Sequence, residues 1–170
     1  IIDVGVSKMP QQATINADQN NEIAHIRRSK TSWIKEEDLP WLYPRIEYVV
    51  QQLNGHHYDF DLWGLHEDLQ FTIYTHEDQG FYGWHQDSFT TIKDNIDIRL
   101  PRKFSLSFQL TDSSDYDGGD LKLHDGNIIT APKEQGIAVA FPSWQLHCVT
   151  PVTRGVRHSL VVWVTGPRFR

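Results

Sequence analysis

Cysteine is almost missing from this sequence, because Cys148 is the only one among its 170 residues. No disulfide can form within the chain, which excludes the disulfide-stapled folds of many small secreted proteins. A reducing compartment suits such a chain, and we therefore expect a cytoplasmic protein. Positive charge is also scarce, with 16 Lys and Arg against 22 Asp and Glu and a net charge of −6. Neither nucleic acid nor an anionic membrane is expected as a partner, since both attract basic surfaces.

Long apolar runs are lacking too. No stretch approaches the roughly 20 residues that a membrane-spanning helix needs, and the opening IIDVGVSKMPQQ lacks the basic start and apolar stretch of a signal peptide. Internal repeats, low-complexity tracts and linkers are not visible either. With 39% hydrophobic residues, the chain is long enough for one sizeable core, and we predict a single domain over residues 1–170.

The pattern of apolar residues predicts helix first and strands afterwards. Residues 36–55 carry apolar side chains at helical spacing and end on Asn54-Gly55, a helix stop. Alternation predicts strands at 58–63 and 69–75, and from residue 103 short strands and turns follow one another. Helices followed by many short antiparallel strands predict an α+β chain with a β-sandwich or jelly-roll core.

Histidine is plentiful, with nine in the chain, and one lies in the stretch FYGWHQD at 81–87. On a strand, His85 and Asp87 point to the same face and can direct an imidazole and a carboxylate at one point. Trp84 and Gln86 would then face the other way, into the fold. Ordinary polar strand edges carry such pairs as well, so a mononuclear metal site needs a third ligand. His147 is the best candidate, on a late strand that begins in an apolar context. Two histidines and one carboxylate form the facial triad of non-haem Fe(II) oxygenases, whereas zinc more often completes its shell with N and S donors.

An arginine near the end of the chain adds an anion-binding group to this candidate metal site. Residues 151–155 have turn chemistry, so a hairpin there would set Arg157 opposite His147 on the neighbouring strand. A guanidinium at that point can hold a carboxylate in a bidentate pair near the metal. Ser159 would share its face and add a hydroxyl. A metal triad beside an anion-binding arginine is what a 2-oxo dicarboxylate co-substrate requires.

Taken together, these segments resemble the Fe(II)/2-oxoglutarate-dependent oxygenases, and within them the prolyl 4-hydroxylase-like branch. The resemblance covers about residues 66–168 and rests on LQFTIY, YGWHQD, FSLSFQLTD, YDGGDLKL and FPSWQLHCVTPVTRGVRHSLVVW. The last run is the most specific. It implies His85, Asp87 and His147 as iron ligands and Arg157 as the partner of the distal carboxylate of 2-oxoglutarate.

Other features enter by resemblance alone. Tyr74 matches a family tyrosine whose hydroxyl bonds the same carboxylate, and Trp163 matches a tryptophan that lines the pocket on the arginine strand. Gln109 falls where some relatives carry a second pocket tyrosine, so the chain departs from the family there. The family fold is a double-stranded β-helix, here with N-terminal helices packed on one side. Family members often close a mobile loop on substrate after the HxD motif, which makes 88–102 a predicted lid.

The resemblance also implies the reaction. Fe(II), 2-oxoglutarate and O2 are the expected cofactors and co-substrates, with ascorbate as reductant and succinate and CO2 as products. Hydroxylation is favoured over halogenation, because Asp87 fills the position that related halogenases leave free for halide. The expected substrate is a peptidyl side chain, with proline first. A free amino acid or another small molecule is the alternative, and a non-catalytic cupin-like metal-binding module is the alternative from another class.

Overall fold

Helices lie in the first third of the chain in the computed structural model, which describes residues 1–13, 25–94 and 96–168, and only the backbone between 89 and 99. The predicted helix 36–55 is real but interrupted. It begins with a 3-10 turn at Glu36–Asp38, continues as the α-helix Leu42–Leu53 and ends in a π-helical turn at Asn54–Tyr58. A short helix, α1 (Ile2–Ser7), precedes this region, so the helix Leu42–Leu53 is named α2. No helix among the described residues is long and apolar enough to cross a membrane.

The other regular elements of the described residues are strands. Their bounds are β1 Gln11–Gln12, β2 Arg27–Arg28, β3 Lys30–Ile34, β4 Leu69–Thr75, β5 Phe81–His85, β6 Phe89–Asp94, β7 Ile96–Gln109, β8 Asp117–Gly118, β9 Leu121–Asp125, β10 Asn127–Thr130, β11 Ala138–Pro142, β12 Leu146–Val149, β13 Val152–Arg154 and β14 Val156–Thr165. These strands form two facing antiparallel sheets. The larger sheet runs β1-β3-β4-β14-β7-β11, with β6 paired to β7, and the smaller runs β10-β9-β12-β5-β2, while β8 pairs with β13.

The larger sheet separates an apolar face from a polar one. Because side chains alternate along a strand, most apolar residues of β4, β7 and β14 reach the face that α2 covers, and these include Phe71, Leu106 and Leu160. Each fully buried side chain of this kind contributes about 2 kcal/mol. The opposite face points between the sheets and carries buried residues with polar groups: Gln70, Thr72, Tyr74, Ser105, Ser107, Gln109, Arg157, Ser159 and Trp163. An interior lined this way is shaped for a polar ligand.

Two sequence predictions about strands are wrong. Residues 59–63 form no strand, since the chain leaves the π-helical turn through Asp59 in the left-handed region at φ 52°. The predicted hairpin that would set Arg157 opposite His147 is also absent. β12 lies in the smaller sheet and β14 in the larger one, and Arg157 pairs with Tyr74 instead. The predicted turn at 151–155 is largely the short strand β13, which pairs with β8 where the chain crosses between the sheets.

The predicted lid at 88–102 has a regular backbone. β6 pairs with the first half of β7 in a hairpin that runs from Phe89 opposite Pro101 to Asp94 opposite Ile96. The closure of this hairpin on a substrate remains a prediction.

Candidate metal and co-substrate site

His85, Asp87 and His147 meet between the two sheets. Each offers a ligand atom, and these atoms all lie within 4.8 Å of one another. Nε2 of His85 is 3.6 Å from Asp87 Oδ1, and Nε2 of His147 is 3.4 Å from Asp87 Oδ2. Adjacent ligands of an octahedral ion with bonds near 2.1 Å are about 3 Å apart, so the three side chains need only small movements to share one ion.

Strand pairing brings the two histidines together. His147 on β12 lies directly opposite His85 on β5, and their ring centroids are 4.1 Å apart. The next pair along the ladder is Val149 with Tyr82, so β5 has one extra residue there. Such a bulge turns a side chain towards the face it would otherwise leave. Tyr82 therefore stacks on His85, with ring centroids 3.5 Å apart, although the two are three positions apart and would face opposite sides of a regular strand.

Backbone carbonyls fix the orientation of both imidazoles. Nδ1 of His85 donates to Gly83 O at 2.8 Å, and Nδ1 of His147 donates to Gln145 O at 2.8 Å. A carbonyl oxygen can only accept, so Nδ1 carries the hydrogen in each ring. Nε2 is then the atom directed at Asp87, which is the arrangement that metal-binding histidines adopt.

Burial and neighbouring charges set the protonation of the cluster. Burial lowers the pKa of His85 to about 4, and the adjacent His147 adds to this effect, so His85 is neutral near pH 7. Burial alone would raise the pKa of Asp87, but the two imidazoles and the Trp163 N–H hold it well below its usual value. An ionised carboxylate beside a neutral imidazole is the donor chemistry that a divalent iron accepts.

The carboxylate of Asp87 is also held from the larger sheet. The hydroxyl of Ser105 donates to Asp87 Oδ2 at 2.8 Å and lies 3.1 Å from the hydroxyl of Ser143. The backbone N–H of Asp87 donates to Ser143 O at 2.8 Å. Ser105 and Ser143 carry no motif of their own in the sequence. The one signal for Ser105 was its inward position in the alternating run KFSLSFQLT.

Replacing Ser105 with alanine should weaken metal binding without removing it. The carboxylate would keep its place in the chain but lose the hydrogen bond that orients Oδ2, and such losses typically lower metal affinity 10- to 100-fold. Titration with Co(II), followed by absorbance, measures the change. Ser107→Ala is the matched control, because Ser107 lies two residues along the same strand on the same face. Equal Co(II) affinity in both variants would show that the Ser105 bond does not orient the ligand.

Arg157 is buried without a counter-ion among the described residues. It is 1% exposed, donates from Nη2 to Gln109 Oε1 at 3.0 Å, and has a longer contact of 3.5 Å with Ser159 Oγ. Its Nε has no hydrogen-bond partner. Both acceptors are uncharged, and a buried guanidinium left in this state is costly. A carboxylate from solution would supply the missing negative charge, so the residues present fit 2-oxoglutarate.

The other residues carried over from the family lie on the same inner face. Tyr74 is directly opposite Arg157, whose guanidinium carbon is 5.3 Å from the Tyr74 ring centroid. Ser159 and Trp163 lie two and six residues after Arg157 on β14, so they share its face. The Trp163 N–H is close enough to Asp87 to favour its ionised form, but it makes no well-aligned hydrogen bond with it. On the paired strand β7, Gln109 lies directly opposite Ser159, which explains the hydrogen bond between Gln109 and Arg157.

Gly119 shows why a glycine pair precedes the pocket. Gly119 has φ +61°, and a Cβ there would lie 3.0 Å from Arg157 Cδ and 3.0 Å from Val152 Cγ2. The absence of a side chain therefore leaves room for the stem of Arg157. The sequence predicted only a tight turn at this glycine pair.

The outward residues of FYGWHQD correct another expectation. Trp84 and Gln86 were expected to face into the fold, on the side opposite the metal ligands. Instead Trp84 is 44% exposed and packs edge-on against His124, while Gln86 is exposed and donates to Trp144 O at 2.5 Å. Both side chains are therefore exposed to solvent instead of packing into the fold.

Two antiparallel sheets that enclose a His-Asp-His cluster and a buried arginine form the arrangement of a non-haem Fe(II) oxygenase. The model of the 2OG-Fe(II) oxygenase superfamily matches residues 69–165 of the chain. The chain therefore belongs to this superfamily, whose members are enzymes that use Fe(II), 2-oxoglutarate and O2. The predicted prolyl 4-hydroxylase-like branch is confirmed by the relatives and neighbouring structures.

Curated relatives with sequence similarity are PKHD-type hydroxylases. One from Klebsiella pneumoniae subsp. pneumoniae is 30% identical over 128 residues, which is 72% of this chain and 55% of the relative. One from Paraburkholderia xenovorans is 36% identical over 84 residues, which is 49% of this chain and 37% of the relative. The chain thus spans about half the length, or less, of the relatives it matches.

Solved structures confirm the double-stranded β-helix. A prolyl hydroxylase from Trichoplax adhaerens, in complex with a hypoxia inducible factor peptide fragment, superposes with a TM-score of 0.72 at 17% identity, covering 95% of this chain and 72% of that chain. A Pseudomonas putida prolyl-4-hydroxylase gives 0.64 at 23% identity, covering 88% and 78%. A viral collagen prolyl hydroxylase of Paramecium Bursaria Chlorella virus-1, in its 2OG complex, gives 0.69 at 16% identity, covering 98% and 87%. At these identities the likeness concerns the fold.

Proposed function

We propose that the chain is an Fe(II)- and 2-oxoglutarate-dependent dioxygenase that hydroxylates a peptidyl side chain, with proline as the first candidate. The observation that carries the proposal is the buried Arg157, which has no carboxylate partner among the described residues and lies in the same interior as the His-Asp-His cluster. A metal-binding module has no use for a second anion site, whereas 2-oxoglutarate has a carboxylate at each end.

Each residue then has a defined task. His85, Asp87 and His147 would hold Fe(II), with Ser105 keeping Oδ2 of Asp87 in position. Bound iron would supply the oxidation that couples decarboxylation of 2-oxoglutarate to hydroxylation of a C–H bond, with succinate and CO2 as products. The chain's own part is to orient the co-substrate and keep the site dry.

Co-substrate orientation would depend on the larger sheet. Arg157 would bind the distal carboxylate in a bidentate pair, with Ser159 and Tyr74 as the neighbouring polar groups on the same face. Gln109 now accepts from Arg157, and its amide can turn to donate when a carboxylate takes its place. The second pocket tyrosine of some relatives is thus replaced by a group that can either accept or donate.

The substrate class rests on the relatives. The Trichoplax adhaerens enzyme binds a peptide fragment, and the curated relatives are named PKHD-type hydroxylases. Ascorbate is proposed as the reductant that restores Fe(II). The free amino acid remains the second candidate substrate, and a panel of peptides and amino acids screened for products heavier by the mass of one oxygen would separate the two.

Purified chain supplied with Fe(II), ascorbate and 2-oxoglutarate should form succinate, slowly even without a substrate. The reason is that the proposed site binds metal and co-substrate through its own residues before any substrate enters. Succinate is measured by mass spectrometry, with the same mixture lacking Fe(II) as control. A complete lack of succinate across the substrate screen would favour the cupin-like metal-binding module.

A further inference from the structure

A second buried arginine lies near the candidate iron site, on the smaller sheet. Arg27 is on β2, the edge strand of the smaller sheet, and is 5% exposed, although arginine is rarely so buried without a partner. Its strand register places it directly opposite Tyr82. Since Tyr82 stacks on His85, Arg27 shares the inward face of the smaller sheet with the iron ligands.

The hydrogen bonds of Arg27 are incomplete. Its Nε donates to Ser29 Oγ at 2.8 Å, and its Nη2 is buried with no partner. No carboxylate of the described residues lies within 4.0 Å of its guanidinium. The guanidinium carbon is 4.5 Å from the Tyr82 ring centroid, so the flat face of the guanidinium makes a cation–π contact with this ring. The N–H groups, however, point outward in the guanidinium plane and still need acceptors.

Arg28 provides an internal comparison. It follows Arg27 on the same strand, so its side chain points to the other face, where it lies over the Phe81 ring at 4.8 Å. Arg28 is half-buried rather than buried, although its Nε also has no hydrogen-bond partner. Only the inward arginine therefore borders the interior that contains the metal cluster.

The 2-oxoglutarate carboxylate is already assigned to Arg157 on the facing sheet, so Arg27 needs a different anion. We propose that Arg27 binds a carboxylate of the substrate and thereby positions the substrate against the iron, an inference that rests on the proposed function. A planar carboxylate can accept from the buried Nη2 that is left without a partner while Nε bonds Ser29. That carboxylate belongs either to an acidic residue near the hydroxylated position of a peptide or to the free amino acid itself.

A spectroscopic test detects the anion at Arg27 directly. The full chain is loaded with Zn(II) and 2-oxoglutarate, which blocks Arg157 and prevents turnover, and is then titrated with acetate. The Arg27 Nε–H signal, assigned by its loss in Arg27→Gln, should shift with acetate and not with neutral acetamide. The signal of Arg28, assigned from Arg28→Gln, should stay in place. Equal response to acetate and acetamide at Arg27 would overturn the proposal.

Binding of matched probes identifies the source of the carboxylate. The first pair is acetyl-Asp-Pro-Gly amide against acetyl-Asn-Pro-Gly amide, and the second is L-proline against L-prolinamide. The chain should prefer the anionic member of one pair by roughly 10-fold to 100-fold, the usual effect of a hydrogen bond to a charged group. Arg27→Gln should remove this preference, Arg27→Lys should keep part of it, and Arg28→Gln should leave it intact.

The outcomes separate this inference from the proposed function. Failure of the unaltered chain to bind Zn(II) or 2-oxoglutarate would remove both. Normal binding of metal and co-substrate, with no preference within either probe pair or a preference that survives Arg27→Gln, would remove the Arg27 inference alone. Thermal melts of each variant establish that it is folded before its binding is compared.

Discussion

Replacing His147 with alanine is expected to abolish stoichiometric binding of Fe(II). The side chain supplies one of three ligand atoms in the cluster, and the two that would remain lie next to each other on β5 and just after it. A bidentate site of this kind binds metal far more weakly, by at least about 100-fold. Metal content per chain after gel filtration, measured by mass spectrometry, provides the readout. Activity should be lost with the metal.

His124 supplies the control for this variant. It lies on β9 opposite Leu146, is exposed, and contacts Trp84 rather than the metal cluster. His124→Ala should therefore keep one Fe(II) per chain. If His147→Ala also keeps one Fe(II) per chain, His147 is not a ligand, and the cluster has to be reconsidered with another donor.

Two of the three metal ligands could be predicted from the local sequence pattern, because they lie close together in the chain. Asp87 follows His85 by two residues, and the period of a strand alone suggests that both face one point. The third ligand and the arginine came from residue type and resemblance. The structure brings the three predicted metal ligands together, and it sets Tyr74, Ser159 and Trp163 on the same inner face as Arg157.

Long-range pairing is what the sequence could not supply. The turn residues at 151–155 predict a hairpin, but the chain forms the short strand β13 there and crosses to the other sheet, which only the full topology decides. The bulge that sets Tyr82 beside His85 is equally invisible, because alternation predicts the opposite face for it. Ser105 and Arg27 were missed for a related reason. Their roles depend on residues that are 18 and 55 positions away in sequence, Asp87 and Tyr82.

In the N-terminal half, helical periodicity correctly predicted α2, whereas strand alternation wrongly predicted a strand at YDFDLW. The apolar spacing of α2 is repeated over three turns, and the buried face of the helix follows it. The stretch YDFDLW alternates over only six residues, and only its end reaches a strand, where the Trp63 N–H donates to Thr165 O of β14 at 2.8 Å. Phe60 packs near Tyr58 and Phe104 instead, with ring centroids 5.3 and 5.2 Å away. Side-chain burial without pairing is enough to produce this pattern.

Replacing Arg157 with alanine should weaken 2-oxoglutarate binding by roughly 25-fold to several thousand-fold while leaving metal binding largely intact. Removing one partner of a buried, hydrogen-bonded charge pair costs about 2–5 kcal/mol, and every 1.4 kcal/mol is a factor of ten. Arg157→Lys should lose less, because it keeps the charge but not the bidentate geometry. Calorimetric titration of the Zn(II)-loaded chain with 2-oxoglutarate measures both variants.

The selectivity of this loss is what distinguishes a co-substrate clamp from a structural arginine. Arg154→Ala is the matched control, because Arg154 is exposed on β13 and pairs with Asp117 instead of facing the interior. It should bind 2-oxoglutarate as the unaltered chain does.

Removing Arg157 also removes a buried charge that has only uncharged acceptors among the described residues. The Arg157→Ala chain should therefore lose little stability when 2-oxoglutarate is absent, and it should lose most of the stabilisation that 2-oxoglutarate gives. Unchanged co-substrate affinity in a folded Arg157→Ala chain would rule out the clamp and, with it, the main reason for preferring an oxygenase site to a simple metal site.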